Sequence, residues 1–512
     1  MNVENQDYNA MGIEKAKKLP LLLHASKSFR LRCILDAKDE IISSKRLTEG
    51  EYERVFNTLL QEEINKAMIL REIEEIEENL TVEDLLVKLK DLDLPSEEII
   101  ALTYQLALEG YLSTSFDEKN ALSFKFITSN PSELHSIYVP VNLIEDGKAC
   151  SGCSMCQAVC PIQCIEVMKS RVTIDMEKCI RCGLCYTTCP RSFLPKKALE
   201  WAAKQEFFNT DELKVGHFME AWSARTTQDD VRAVCQDGGI ATTIAIHALE
   251  TGMVNAGIGS RTVEGDPWNP EPVIMKNRED ALSAAGTKYV NTPSLRLLGE
   301  FQAETKVAVV GTPCMMQALK KSDLYRAGTL DLDNIAFRIG IFCMESFTFA
   351  GIKHLSEEIL ETPLSKVKKM DINMGKFFVY LEEGEPKSVE MKEITKLARM
   401  GCHCCYDLTS EEADISVGSI GSPSGWNTVL IRNQRGKELF DSAVEAGLIE
   451  KKSIEDVKPG LGLLKKLSFR KKRSYEKEEK KRNDEGKYHP IYEMKLPPKK
   501  KKEPSPNSKP PA

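Results

Sequence analysis

The sequence predicts a multidomain protein of mixed α/β and α+β character, and three observations predict it. Residues 215–435 alternate short Val- and Ile-rich runs with helical stretches, the pattern of a parallel sheet wrapped by helices. Sixteen cysteines are present, and fifteen fall between Cys150 and Cys405. The two ends differ in kind: a cysteine-poor helical region precedes the clusters, and a Lys- and Pro-rich stretch closes the chain.

Composition limits the choices first. With 512 residues, 42% hydrophobic and 29% charged, the chain is ordinary globular material rather than disordered or fibrous. At roughly 100–200 residues per domain, about three domains are expected. No apolar run approaches the ~18–20 residues of a membrane-spanning helix. Met1 to Gly12 is polar and acidic, with no apolar signal core, so a cytoplasmic protein is expected. Net charge is −7, but from Lys465 onward 17 Lys and Arg face 7 Asp and Glu, leaving −17 on the remaining 464 residues. So acidic a body excludes a nucleic-acid binder, since it would be repelled by phosphate. Disulfides are rare in a reducing cytoplasm, so clustered cysteines there point to metal or redox chemistry.

Residues 1–140 form the N-terminal region, and Cys33 is its one cysteine. Glu49 to Leu80 is rich in helix formers, with Ile69, Ile73, Ile76 and Leu80 at helical spacing. That stripe packs either on its own domain or on another helix, which would make residues 49–127 a homodimer contact. Thr81-Val-Glu-Asp84 is a capping box that opens a helix to about Lys90. Pro95-Ser96 starts a second helix, closed by Gly110. Tyr111 to Phe116 and Ala121 to Ile127 read as strands around Asp117 to Asn120. This order makes 81–127 resemble a winged helix. Its second helix carries Glu97, Glu98 and Glu109 and no Lys or Arg. Protein docking or dimerisation is therefore expected, and DNA binding is not. Ser129 to Lys148 reads as a linker with Pro131 and Pro140.

Residues 141–200 form the cysteine-dense module. Cys150-x2-Cys153-x2-Cys156-x3-Cys160-Pro161 is followed by Cys179-x2-Cys182-x2-Cys185-x3-Cys189-Pro190. This is the spacing of bacterial ferredoxins, twice. Three cysteines of each run wrap one cubane, and the fourth reaches the other. Cys150, Cys153, Cys156 and Cys189 are assigned to one 4Fe-4S cluster, and Cys179, Cys182, Cys185 and Cys160 to the second. Tandem Cys-Pro runs do not suit zinc ribbons. Cys164 is extra and reads as a small core residue.

Residues 210–445 form the α/β part. Gly239 to Glu250 reads as a helix closed by Gly252. Lys306 to Val310 and Ile335 to Phe342 suit buried parallel strands. Gly311-Thr-Pro-Cys314 and Phe342-Cys343 follow those strands, where open α/β sheets collect ligands. With Cys402 and Cys405, Cys314 and Cys343 make either a third cluster or a set of separate buried thiols. Cys404 is able to replace either member of the Cys-x2-Cys pair, His403 reads as a bystander and Cys235 as structural. Residues 465–512 are too charged and Pro-rich to bury a core and are expected to be disordered. Such a tail solubilises the chain or meets an anionic lipid surface or an acidic partner, a peripheral membrane contact in the second case.

The stretch 216–435 resembles the family of beta subunits of coenzyme F420 hydrogenases and dehydrogenases. The matching pieces are Gln236-Asp-Gly-Gly239, Ala285-Gly-Thr-Lys-Tyr289, Val310-Gly-Thr-Pro-Cys314 and Ile341-Phe-Cys-Met-Glu-Ser346. Gly375-Lys-Phe377, Cys402 to Asp407 and Ala413 to Trp426 follow in order. With the fused ferredoxin module the layout is similar to the electron-input subunit of archaeal dehydrogenase complexes. The resemblance implies FAD and one 4Fe-4S cluster in this domain, held by Cys314, Cys343, Cys402 and Cys405, for three clusters in all. It implies hydride exchange between coenzyme F420 and FAD, with electrons passed to a partner subunit. That partner would be of hydrogenase, heterodisulfide reductase, formate dehydrogenase or quinone-linked type. Within the resemblance, Gly238 and Gly239 are candidates to meet a cofactor phosphate at a helix N-terminus. Lys288 is a candidate for a phosphate or flavin carbonyl. Glu345, Gly418, Gly421 and Gly425 are candidates to line the pocket, with Trp426 as a wall or a core residue. No catalytic side chain is singled out. Two other readings stand beside this one: a ferredoxin-dependent reductase that does not use coenzyme F420, and a non-catalytic electron-transfer or assembly subunit.

Overall fold

A computed structural model describes residues 28–44, 47–116, 122–127, 141–168, 171–204, 212–302, 304–373 and 375–492. Its centre is an eight-stranded mixed sheet. The strand order is 449–453, 220–226, 427–431, 415–418, 335–341, 307–311, 256–263 and 266–275. The four strands Ile415–Gly418, Ile335–Ile341, Val307–Gly311 and Ala256–Val263 run parallel to their neighbours in that series. Antiparallel strands extend the sheet on both sides. In Val307–Gly311 successive side chains leave on opposite faces. Val307 and Val309 join a core with Met315, Met316 and Leu319 of the helix Pro313–Leu324. Ala308 and Val310 meet the core of Ile240, Ile244, Leu439 and Phe440. Both faces are buried, which explains the uninterrupted apolar run in the sequence.

The N-terminal elements do not stand apart. Leu80–Thr81, Leu122–Phe126 and Leu112–Phe116 form a three-stranded sheet beside the helices Val82–Lys88 and Ser96–Leu108. Residues 117–121 and 128–140, the expected turn and most of the expected linker, lie outside the described residues. Asn142–Asp146 is a helix that buries Ile144, so the end of that linker is structured. Ile99 through Leu106 is buried, and the Tyr325 hydroxyl donates to the Ala101 carbonyl at 2.8 Å. The would-be recognition helix is therefore enclosed by this chain. Ile69 and Ile73 of the long helix Glu49–Ile73 also pack into that core, not outward.

The disordered-tail expectation for 465–512 is corrected over its described part. Gly460–Asp484 is a 25-residue helix, and Ile491–Tyr492 pairs parallel with Phe193–Leu194. Leu464, Ser468, Lys471, Lys472, Tyr475 and Arg482 are buried at helical spacing. Four of those six are polar, so a charge count mistook a buried face for a solvated one. Residues 493–512 lie outside the described residues. Among the described residues no helix is long and apolar enough to cross a membrane.

Candidate metal centres and cofactor site

Each ferredoxin-type run is curled by two left-handed residues flanking its middle cysteine. These are Gly152 and Ser154 around Cys153, and Arg181 and Gly183 around Cys182. Non-glycine residues rarely hold φ near 60°, so Ser154 and Arg181 mark a backbone bent for a purpose. The Ser154 hydroxyl accepts the Arg296 amide at 2.8 Å, which fixes that bend. Cys160, Cys179, Cys182 and Cys185 line one cavity together with Cys164. Cys156 lies within electrostatic reach of Cys153, Cys150 and Cys189. Burial pushes the Cys182 and Cys189 thiols up to about 12. Such thiols stay protonated unless a metal takes the proton's place. Hydrogen bonding from the Cys164 thiol acts oppositely, holding Cys160 down to about 7 and Cys179 to about 6. The Cys160 and Cys164 sulfurs are 3.6 Å apart. Cys164 is thus a partner of the second set, beyond its expected role as filler.

The other four cysteines converge at the C-terminal ends of parallel strands. Cys314 lies in the first turn of Pro313–Leu324, just after Val307–Gly311. Cys343 follows Ile335–Ile341, and Cys402 sits in the turn Met400–His403 with Cys405 just beyond. Cys343 is within electrostatic reach of Cys402, Cys314 and Cys405. Cys314 in turn is within reach of Cys153, so this set adjoins the first ferredoxin-type set. The groups acting on Cys404 are Arg482, Arg191, Glu478 and Cys405, and those on His403 lie on the C-terminal helix. Cys404 thus keeps one member of the set, Cys405, in reach, while the groups acting on His403 are all outside it. Cys235 donates to the Asp237 carbonyl at 2.9 Å, a local turn contact. Among the described residues no three such side chains close on a single ion. Amide donors reach the sulfurs instead: Gly152 to Cys150 at 3.3 Å, Arg191 to Cys189 at 3.4 Å and Ser346 to Cys402 at 3.4 Å. Hydrogen bonds to sulfur are a main control on cluster potential.

The candidate cofactor residues divide. A Cβ on Gly238 would stand 2.6 Å from the Asn427 amide, and one on Gly418 would enter the Phe342 ring at 2.2 Å. Gly239 packs on Thr226 and Val231, and the Ile240 amide is taken by the Asn427 side chain at 3.2 Å. Gly421 accepts the Gly460 amide at 2.8 Å. These four glycines therefore serve close packing. Gly425 differs: its φ is 78° and a Cβ there meets nothing within 4 Å. Lys288 is buried, without the carboxylate of an exposed salt bridge; its ammonium donates to the carbonyls of Ala284, Ala285 and Gly286 at 2.6–3.0 Å. Glu345 has a buried Oε2 with no hydrogen-bond partner among the described residues, and burial raises its carboxyl. Trp426 is stacked by Arg225 at 4.6 Å and Lys452 at 4.2 Å, so its ring faces cations.

Sequence reasoning missed a polar group near Gly425. The Asp237 carboxylate accepts from the Ser419 hydroxyl and the Gly425 amide. Asp371 accepts from Gln236 at 3.0 Å, and Lys369 donates to the Gln236 carbonyl at 3.0 Å. Burial, with Asp371 nearby, raises the Asp237 carboxyl, and both carboxylates act on the buried Tyr289 hydroxyl. Asp237 and Tyr289 stand inside motifs quoted for their glycines and lysine, and that position was their available signal. Asp371 had none.

Comparison with known proteins assigns the whole central region. Residues 221–299 match the model for the N-terminal part of the coenzyme F420 hydrogenase/dehydrogenase beta subunit, and residues 304–457 match the model for its C terminus. A coenzyme F420 hydrogenase subunit beta from Methanosarcina barkeri is 42% identical over 262 residues, covering 50% of this chain and 89% of that protein. The chain belongs to the family of coenzyme F420 hydrogenase/dehydrogenase beta subunits. A 4Fe-4S dicluster domain is matched over residues 142–190 of this family member. It is also similar to an F(420)H(2) dehydrogenase subunit of Methanosarcina mazei, 34% identical over 332 residues, 62% of this chain and 88% of that protein. A chain of the F420-reducing NiFe hydrogenase complex from Methanosarcina barkeri shares its fold with a TM-score of 0.52 and 41% identity. That match covers 53% of this chain and 95% of the other. Membership makes this an iron–sulfur oxidoreductase chain. The N-terminal elements before residue 142 and the helix Gly460–Asp484 lie outside the matched family regions.

Proposed function

We propose that this chain is a flavin-containing subunit that moves electrons between reduced coenzyme F420 and a partner redox subunit. The observation that carries the reading is the adjacency of two cysteine sets from different parts of the chain: Cys314 lies within reach of Cys153. FAD, when bound, converts a two-electron hydride into single electrons, which 4Fe-4S clusters carry. Cys150, Cys153, Cys156 and Cys189 would hold one cluster, Cys160, Cys179, Cys182 and Cys185 a second, and Cys314, Cys343, Cys402 and Cys405 a third.

The buried thiols and amide-to-sulfur bonds described above fit these groups. For the flavin, Gly425 offers open backbone, while the orphaned Glu345 oxygen and the Lys288 ammonium offer polar contacts. Asp237 and Asp371 together repel phosphate and accept hydrogen bonds, so that corner suits the N–H edge of a ring. The chain's own work is placement. Asn291 donates to the Gly152 carbonyl at 2.9 Å, and the Leu295 amide to the Cys153 carbonyl at 3.2 Å, seating the ferredoxin-type module on the sheet domain. Fixed spacing matters because misplacement of reacting groups by ~1 Å is costly.

The test is anaerobic, on the purified chain. Iron and flavin are counted, then reduced coenzyme F420 and a viologen dye are added and the deazaflavin absorbance is followed. About twelve irons, at four per cubane, one FAD and dye reduction are expected. Full iron and flavin without deazaflavin turnover would sink the substrate assignment in favour of a ferredoxin-dependent reductase.

A further inference from the structure

Two buried cations among the cysteines, Lys471 and Arg191, make no direct ion pair with Asp or Glu among the described residues. Lys471, on the helix Gly460–Asp484, is 7% exposed and donates to the Cys343 carbonyl at 2.6 Å. Among the described residues it makes no ion pair with Asp or Glu. The groups that act on its charge are Cys405, Cys343 and Cys402, then Asp407, and Lys471 acts in turn on the Glu345 carboxyl. Arg191 is 2% exposed and follows Cys189-Pro190. Its guanidinium donates to the Tyr492 hydroxyl at 2.8 Å and to Gln317 at 3.3 Å, and its Nε has no hydrogen-bond partner. Cys405, Cys314 and Cys404 act on it, and it acts on Cys153 and Cys189.

A buried lone charge costs several kcal/mol unless something of opposite sign faces it. Several buried cations elsewhere in this chain show the usual remedy, Lys196 and Lys472 facing Glu411 and Lys66 facing Glu63 and Glu109, whereas Lys288 and Lys321 are held by carbonyls and a hydroxyl. Lys471 and Arg191 have thiol sulfurs instead. A cluster held by four thiolates carries negative charge, and reduction adds one more.

Resting on the three-cluster reading above, we propose that Lys471 and Arg191 are positioning residues that supply the counter-charge of the third cluster and raise its reduction potential. Lys471 serves that cluster alone. Arg191 is shared with the first, so it couples the potentials of the two. The C-terminal helix is thereby part of the redox apparatus.

The test is an EPR-monitored redox titration of the full chain with its iron in place. Lys471→Met is expected to make reduction of the third cluster less favourable by roughly tenfold or more, since loss of a near charge in a low-dielectric site exceeds that energy. For one electron, tenfold is about 59 mV. Lys471→Arg restores the potential, Arg191→Met lowers the potentials of both the third and first clusters, and the exposed Lys480→Met moves neither. Unshifted potentials in Lys471→Met with about twelve irons (four per cubane) overturn this inference while leaving the proposed function intact. About eight irons in the unaltered chain would overturn both. Should Lys471→Met lose iron, Lys471→Gln keeps a donor for the Cys343 carbonyl. Iron loss in both neutral variants but not in Lys471→Arg supports the counter-charge, and loss in all three refutes it.

Discussion

Gly401→Ala tests how tightly the ferredoxin-type module is docked on the sheet domain. A Cβ at Gly401 would stand 2.1 Å from the Cys150 carbonyl oxygen, 2.7 Å from its carbon and 2.8 Å from the Ala149 oxygen. Ordinary contact runs from 3.4 to 4 Å, so the two backbones must part. The displacement needed is roughly 1.3 Å, and overpacking of that kind costs about 1–3 kcal/mol. No rotamer change relieves it, because every obstructing atom is backbone. The same shift disturbs the hydrogen bond from Arg399 to the Cys150 carbonyl, now 3.2 Å. At about 2–4 °C per kcal/mol, the thermal transition should fall by about 2–12 °C. The separated pieces carry Cys150 on one side and Cys402 on the other, so dye reduction by reduced coenzyme F420 should slow as well. Gly462→Ala is the control: a Cβ there meets nothing within 4 Å, and helical alanine should stabilise by about 0.4–1 kcal/mol. A melting curve and dye-reduction rate unchanged in Gly401→Ala would refute the docking geometry.

Two further outcomes are expected. Burial holds Lys288 down to about 7, whereas an unfolded lysine titrates near ~10.4. Between those values the unfolded chain binds the extra proton, so stability rises with pH by up to about 1.36 kcal/mol per unit. That penalty is complete below pH 7 and gone above the unfolded value; chemical denaturation at pH 7 to 9.5 should show the slope, and Lys288→Met should lack it. Equal slopes would mean that the carbonyls around Lys288 keep it charged. Iron analysis separates ligand from neighbour at the second set: Cys164→Ala should retain the full iron content, whereas Cys160→Ala should lose about four irons. Equal loss in both would make Cys164 a ligand.

The features legible in the sequence were those with a strict period or spacing. The apolar run at 307–311 gave a buried strand because both faces of the sheet are covered. Cys179, Cys182 and Cys185, at three-residue intervals, line one cavity with Cys160, as their spacing suggests. What stayed illegible depended on contacts from far along the chain. Lys471 and Lys472 look like surface charge until Cys343 and Glu411 are seen beside them. Gly238 and Gly418 resemble ligand loops because a glycine is equally silent about a cofactor and a neighbouring strand. The burial of Lys288 has no sequence signal because its acceptors are carbonyls. Asp371 is on Val367–Asn373, in a separate three-stranded sheet, and only tertiary packing brings it to Gln236.

Domains within one chain ordinarily move against each other unless a large apolar contact joins them. Here the apolar contacts cross every boundary the sequence suggests. One core holds Leu31 and Leu59 of the N-terminal helices, Cys153 and Leu184 of the ferredoxin-type module and Met315 of the sheet domain. Another joins Ile100 and Tyr104 to Tyr186 and Phe193 and onward to Tyr325. The Phe193 and Tyr325 rings meet edge to face at 5.5 Å. The C-terminal segment then returns across the junction: the Tyr488 hydroxyl donates to the Arg191 carbonyl at 2.7 Å, and the Tyr492 hydroxyl to the Cys404 carbonyl at 3.2 Å. A hinge between the parts would vary the distance from Cys153 to Cys314, which the proposed relay of single electrons needs constant. The extra N- and C-terminal elements have a common physical purpose on this view. They tie two modules joined in sequence to each other through shared apolar cores.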